Sequence, residues 1–214
     1  MTRMCNMETF AVLLFVVGAT ANTFRNFVNG AGSLIGYAEE APYNITKIHQ
    51  NFEEREYPAL NWVCTTTKAS SEVGSHDRAM FLKLFRYVTG QNSERRVMAY
   101  VIPATLEYTN GKNGINTYVL CLFIEKAHQA HPPEPIDESV FIENRPPLTI
   151  YTRTVGGYVI SESQWIDEGA RLSGYLQHEG ISFSLNHMYW VSYDFTFKFW
   201  NRRNEVWFAK EAEK

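Results

Sequence analysis

The stretch whose reading decides the fold is Tyr193-Asp194-Phe195-Thr196-Phe197-Lys198, continued by Asn201-Arg202-Arg203-Asn204-Glu205-Val206-Trp207-Phe208-Ala209. A polar, doubly basic turn runs directly into an alternating segment. The pattern predicts a C-terminal strand over Asn204 to Lys210, with Val206 and Phe208 on one face and Glu205 and Trp207 on the other. A second strand is expected just before the turn, over Tyr189 to Tyr193.

Moving outward, the same order of elements occurs twice. Phe52-Glu53-Glu54-Arg55 leads into an alternating strand over Asn61 to Thr67, and Phe141-Ile142-Glu143-Asn144-Arg145 leads into one over Thr149 to Thr154. A helix follows each. The first runs from Ser75 as N-cap to Val88, with Phe81, Leu84, Phe85 and Val88 at core spacing and Gly90 behind it. The second runs from Ser161 to Glu179, opened by the capping-box pair Ser161 and Gln164 and closed by Gly180; Trp165, Gly169, Leu172 and Leu176 form its apolar stripe. Two strands follow each helix, Val97 to Leu106 and Thr117 to Ile124 in the first half. The halves are joined by Ala127 to Pro135, whose Pro132, Pro133 and Pro135 exclude helix and central strand. The expected fold class is α+β: two pseudo-symmetric βαββ repeats forming a distorted antiparallel β-barrel or sheet with two flanking helices.

Of 214 residues, 45% are hydrophobic and 14% aromatic, enough for one core. A net charge of -3 and the lack of a Lys/Arg stripe with interleaved aromatics exclude nucleic acid as the expected partner. Arg3 precedes the apolar run Phe10 to Gly18, which is too short to span a bilayer, and Ala19-Thr20-Ala21 has the small-x-small form of a cleavage site. Residues 1–21 are therefore expected to be a signal peptide, 22–41 a leader and 42–214 the domain, in a secreted mature chain without a membrane span. An N-terminal anchor or a buried apolar helix is the alternative. Asn44-Ile45-Thr46 is a sequon that makes Asn44 a candidate glycosylation site in that pathway. Cys64 and Cys121 remain in the mature chain, either as a disulfide or as buried free thiols; their separation is no zinc motif.

The first helix also carries a candidate binding surface. Arg78, Leu82 and Arg86 fall on one stripe with Phe85 beside them, so two guanidinium groups bracket an apolar strip ~12 Å long. A flat apolar ligand with two carboxylates would match it. The same spacing also describes the solvated face of a surface helix.

Several stretches resemble the SOUL/haem-binding-protein family, in family order from about residue 42 to 210. They are Phe52-Glu53-Glu54-Arg55-Glu56-Tyr57 with Trp62-Val63, Tyr87-Val88-Thr89-Gly90-Gln91-Asn92, Pro132-Pro133-Glu134-Pro135, Val140-Phe141-Ile142-Glu143, Gly156-Gly157-Tyr158 and the C-terminal Asn-Arg-Arg-Asn-Glu-Val-Trp. Where the family usually has Met-Thr-x-Pro after the first helix, this chain has Met98-Ala99-Tyr100-Val101-Ile102-Pro103. The resemblance implies a barrel-like sheet of two repeats and non-covalent binding of a tetrapyrrole (haem, porphyrin or bilin) by a monomeric carrier, buffer or scavenger. It also implies that Arg78, Arg86 and Lys198 line the cleft, since related proteins are basic there. Some relatives have a candidate iron-ligating His immediately after the Arg of the first motif; this chain has Glu56.

The other histidines suggest no ligand set. His128 and His131 lie in the Pro-rich linker, His178 ends the second helix, and His49, His76 and His187 have no pattern around them. The rival readings are a small-molecule hydrolase using Glu54, Glu56 or Glu143, and a protein-interaction module presenting the first helix. No nucleophile elbow, zinc triad or phosphate loop supports an enzyme, and those glutamates are equally expected as partners of Arg55 and Arg145.

Overall fold

The computed structural model describes residues 38–70, 74–99, 101–194, 198 and 200–211. The expected signal peptide and most of the expected leader lie outside the described residues. The strands are β1 (Glu39–Glu40), β2 (Asn44–Ile48), β3 (Glu53–Tyr57), β4 (Leu60–Ala69), β5 (Val101–Ile102), β6 (Ala104–Thr109), β7 (Asn116–Phe123), β8 (Val140–Arg145), β9 (Leu148–Gly156), β10 (Phe183–Ser192) and β11 (Arg203–Lys210). Two α-helices are described, α1 (Gly74–Val88) between β4 and β5 and α2 (Glu162–His178) between β9 and β10.

The α+β expectation holds, as a curled antiparallel sheet of nine strands in the order β2-β3-β9-β11-β10-β6-β7-β4-β8. Strands precede those that the sequence pattern suggested, β1, β2 and β3 in the first repeat and β8 in the second, and β3 and β8 occupy matching places directly ahead of β4 and β9. Both leading strands cross over: β3 pairs with β9, and β8 pairs with β4. The halves are thereby knitted into one sheet. The strand expected over Val97 to Leu106 is broken at Pro103, which has no N–H for a ladder. β5 leaves to pair in parallel with β1, while β6 stays in the main sheet. Glu39 and Glu40, inside the expected leader, are thus part of this small second sheet.

Strand alternation builds two cores. Val63, Leu106, Leu120, Trp190, Val206 and Phe208 point to the helix-covered face and meet Leu84 and Tyr87 of α1 and Leu172 and Leu176 of α2. Trp62, Cys64, Cys121, Phe123, Tyr189, Val191 and Trp207 point to the curled face, closed over by Ala41 and Val101 beside β1 and in β5. The face assignment of β11 is as expected, and the strand is buried on both sides.

The helix ends follow local chemistry. Ser161 Oγ accepts the Gln164 backbone N–H, and the Gln164 side chain accepts the Ser161 N–H, so the capping box is present. Gly180, at φ 68°, lets Ile181 N–H reach the Leu176 carbonyl at 2.9 Å. Gly169 brings α2 close to the sheet, because a Cβ there would run into the Met188 sulfur. In α1 the deepest residues are Met80, Leu84 and Tyr87, with Val88 beside them, while Phe81 and Phe85 lie half-buried on the shoulder. Ser75 lies inside the helix rather than ahead of it. No described helix is long and apolar enough to cross a membrane.

Candidate functional site

The residues of the candidate surface keep their helical relationship. Arg78 is exposed, whereas Leu82, Phe85 and Arg86 are half-buried, on the part of α1 turned from Leu84 and Tyr87. Phe85 stacks on Phe81 with centroids 6.0 Å apart. Arg86, with Lys83, lies in the field of Asp137 before β8; hydrogen bonds from Ser139, more than these cations, hold the Asp137 carboxyl below its ordinary value. Lys198 belongs to the β10–β11 connection, where its Nζ pairs with Asp194 at 2.5 Å. Its backbone carbonyl accepts from Arg202 and from the Tyr158 hydroxyl. The sequence therefore places four candidates on one helix, and the structure puts the fifth in a connection already ion-paired to Asp194.

A shallow groove between the end of β9 and α2 is lined by Tyr158, Gln164, Asp167, Glu168 and Arg171. Glu168 there pairs with Arg153 and, at 3.8 Å, with Arg171, and Asp167 adds a second carboxylate, so the groove has no excess of positive charge for a dicarboxylic ligand. The described histidines in ion pairs, His49, His128 and His187, face Glu179, Glu125 and Glu107 at 2.6, 3.5 and 2.6 Å.

The curled face holds a buried polar cluster that sequence reasoning missed. Glu205 is wholly buried and accepts both contacts of Arg55 Nη1, at 3.1 and 3.0 Å, plus hydrogen bonds from Tyr193 Oη, Trp207 Nε1 and Arg203 Nε. Burial alone would raise its carboxyl, but Arg55 and Arg203, aided by the Trp207 and Tyr193 bonds, hold it below its ordinary value. The Arg55 guanidinium also lies over the Tyr43 ring, 4.5 Å from its centroid, and takes Glu53. Glu54 instead pairs with Lys210, and Glu56 is exposed, so neither is the expected partner of Arg55. Glu143 does pair with Arg145, as expected. The signal for the cluster was the charge at Glu205 inside an otherwise apolar strand.

The repeat places a different cluster at the related position. Arg55 is opposite Ile150, and Thr154, four residues on (154 − 150), is opposite Glu205; Arg145 is opposite Leu60, and Cys64, four residues on (64 − 60), is opposite Cys121. Cys64 and Cys121 form a disulfide, with Cα atoms 4.1 Å apart across the β4–β7 ladder. This settles the alternative left open by the sequence. Arg145 has Glu143 and the Thr105 hydroxyl as partners and lies 4.5 Å from the Trp62 ring centroid.

A family model described as SOUL heme-binding protein matches residues 38–209. Heme-binding protein 1 of Xenopus tropicalis is 34% identical over 190 residues, which span 87% of this chain and 94% of that protein. Heme-binding protein 2 of Homo sapiens is 28% identical over 165 residues, 76% of this chain and 80% of that protein. Among solved structures, the EcmrR C-terminal domain superposes with a TM-score of 0.53 at 9% identity, over 80% of this chain and 99% of that one, a likeness of fold alone.

Proposed function

The chain belongs to the SOUL heme-binding protein family, and from that premise we propose that it binds a tetrapyrrole non-covalently on the outward face of α1, as a carrier, buffer or scavenger. The observation that carries this reading is the joint placement of Arg78, Leu82, Phe85 and Arg86 on one accessible side of a single helix. The residues present fit the group. Leu82 and the Phe81–Phe85 stack offer an apolar bed, and Arg78 and Arg86 offer forked donors for propionates. Lys198, whose contacts are with Asp194, Tyr158 and Arg202, is assigned to the site by the family resemblance. Haem, when bound, would add an iron centre. At the position where some relatives have an imidazole this chain has the exposed Glu56, so the reading assigns binding to apolar contact and propionate pairing.

A binding role rather than catalysis agrees with the carboxylates. Glu205, the most enclosed of them, is held ionised between two arginines and is a poor proton acceptor. We further infer a secreted monomer glycosylated at Asn44, which is exposed on the edge strand β2. The test is titration of porphyrin into Arg78→Ala, Arg86→Ala, Lys198→Ala and the triple variant. Each single change should weaken binding by about 1.5–3 kcal/mol with little loss of stability. Unchanged affinity in the triple variant would return these residues to the solvated face of a surface helix.

A further inference from the structure

Cys64, Cys121 and Glu143 come from β4, β7 and β8, with β4 lying between the other two in the sheet, and their ligand atoms all lie within 4.8 Å of one another. Glu143 Oε2 is 3.2 Å from Cys64 Sγ and 3.5 Å from Cys121 Sγ. Sulfurs joined in a disulfide carry no proton, so these approaches are not hydrogen bonds. The carboxylate is aimed at both sulfurs by Arg145, whose Nε donates to the same Oε2 at 2.9 Å. Arg145 is itself nine-tenths buried, and among the described residues its Nη2 has no hydrogen-bond partner.

We propose that Cys64, Cys121 and Glu143, once the disulfide is reduced, form a binding site for a thiophilic divalent cation of the zinc and cadmium class, with Arg145 holding the carboxylate in place. Charge balance permits a metal. In the related half, Glu205 is balanced by Arg55 and Arg203; here Val119 stands two residues before Cys121, where Arg203 stands before Glu205, so the second guanidinium is missing. Before an ion binds, the reduced thiols are protonated and Glu143 is balanced by Arg145; once a divalent ion has displaced both protons, its charge and that of Arg145 match the two thiolates and the carboxylate, so the site takes the ion without leaving a net buried charge. Two thiolates and a carboxylate are also a soft and hard donor set that zinc accepts. Strands whose Cα atoms are 4.1 Å apart allow the freed sulfurs to part to the ~3.7 Å needed by two ligands ~2.3 Å from a tetrahedral ion. Glu143 is about a third exposed, so water can complete the fourth position from its side.

The chemistry balances simply. A phosphine gives two electrons to the S–S bond, water supplies the oxygen of the phosphine oxide and the two thiol protons, and the ion then displaces both protons. In an oxidising compartment the bond persists, so the site belongs to the chain before oxidation and is closed by it.

The test uses the full chain, reduced anaerobically with a water-soluble phosphine and titrated with Cd²⁺ or Co²⁺. One ion per chain, with a thiolate-to-metal charge-transfer band, is expected after reduction and none before. Glu143→Gln should keep the band and weaken binding at least about tenfold, since loss of even an outer partner commonly costs tenfold or more. Cys64→Ser should abolish the band. Native mass spectrometry should show two protons lost per ion gained. The proposal is overturned if reduced wild-type protein with both thiols titratable binds no ion or loses its fold. It is equally overturned if Glu143→Gln binds as tightly as wild type. None of these readouts depends on tetrapyrrole binding.

Discussion

The Arg55 guanidinium reaches both carboxylate oxygens of Glu205, at 3.1 and 3.0 Å, across 150 residues of chain and with both side chains buried. It fastens β3, from the first repeat, to β11, the last strand of the second. The pair is costly to break because removing one partner strands the other charge in the interior. Glu205→Ala is expected to lower stability by about 3–5 kcal/mol, and Arg55→Ala with Glu205→Ala by clearly less than the sum of the single changes. Urea unfolding of the four proteins of this cycle provides the measurement; additive losses would show that the two groups are not coupled.

The same pair sets a pH dependence. Because the folded carboxyl of Glu205 lies below its ordinary value of 4.5, the unfolded chain binds the proton more readily between the two values. The stabilisation is therefore complete above about pH 4.5 and is lost as pH falls through the depressed folded value. Urea midpoints followed from about pH 6 to 3 should drop. The drop should be shallower in Glu205→Gln; an equal slope in both proteins would assign the acid sensitivity to other groups.

On the proposed reading, in which the tetrapyrrole binds on α1 without a matched imidazole, iron is incidental to recognition. Metal-free protoporphyrin should bind within about tenfold of haem, or 1.4 kcal/mol. Tryptophan quenching and the haem Soret band report the two titrations. A much larger haem preference, with a six-coordinate low-spin spectrum removed by one His→Ala change among His49, His76, His178 and His187, would assign iron ligation to that histidine.

Processing can be checked directly. Secreted material should begin at or near Asn22, and enzymatic deglycosylation should lower its mass, with no such change in Asn44→Gln. Asn44 is exposed on the edge strand β2, two residues from Thr46, whose hydroxyl donates to the Glu54 carbonyl at 3.2 Å. Retention in the cytosol, or an N-terminus at Met1, would refute the secretory assignment.

Local patterns made much of this architecture legible. The alternation of Glu205, Val206, Trp207 and Phe208 reports strand and faces, because side chains in a strand alternate whatever lies around them. Ser161 with Gln164 reports a helix start for the same kind of reason: the capping bonds close within four residues. Candidate residues sharing α1 were equally readable, since helical spacing alone puts Arg78, Leu82 and Arg86 on one side. The leading strands β3 and β8 were not, because each pairs with a strand of the other repeat; β3 is short and charged, and β8, although it opens on the β-formers Val140, Phe141 and Ile142, takes its partner β4 from the first repeat.

The sequence by itself thus determined the fold class, the repeat, the limits of α2 and which residues share one side of α1, all of which depend on neighbours within a few turns or pleats. Only the tertiary structure decided which glutamate meets Arg55, how Lys198 is engaged, and that two cysteines 57 residues apart become ladder partners beside Glu143. The physical reason is that sheet register converts distant positions into contacts. A charge in an apolar strand signals that a partner must exist, but its identity is set by which strands the crossed repeats bring side by side.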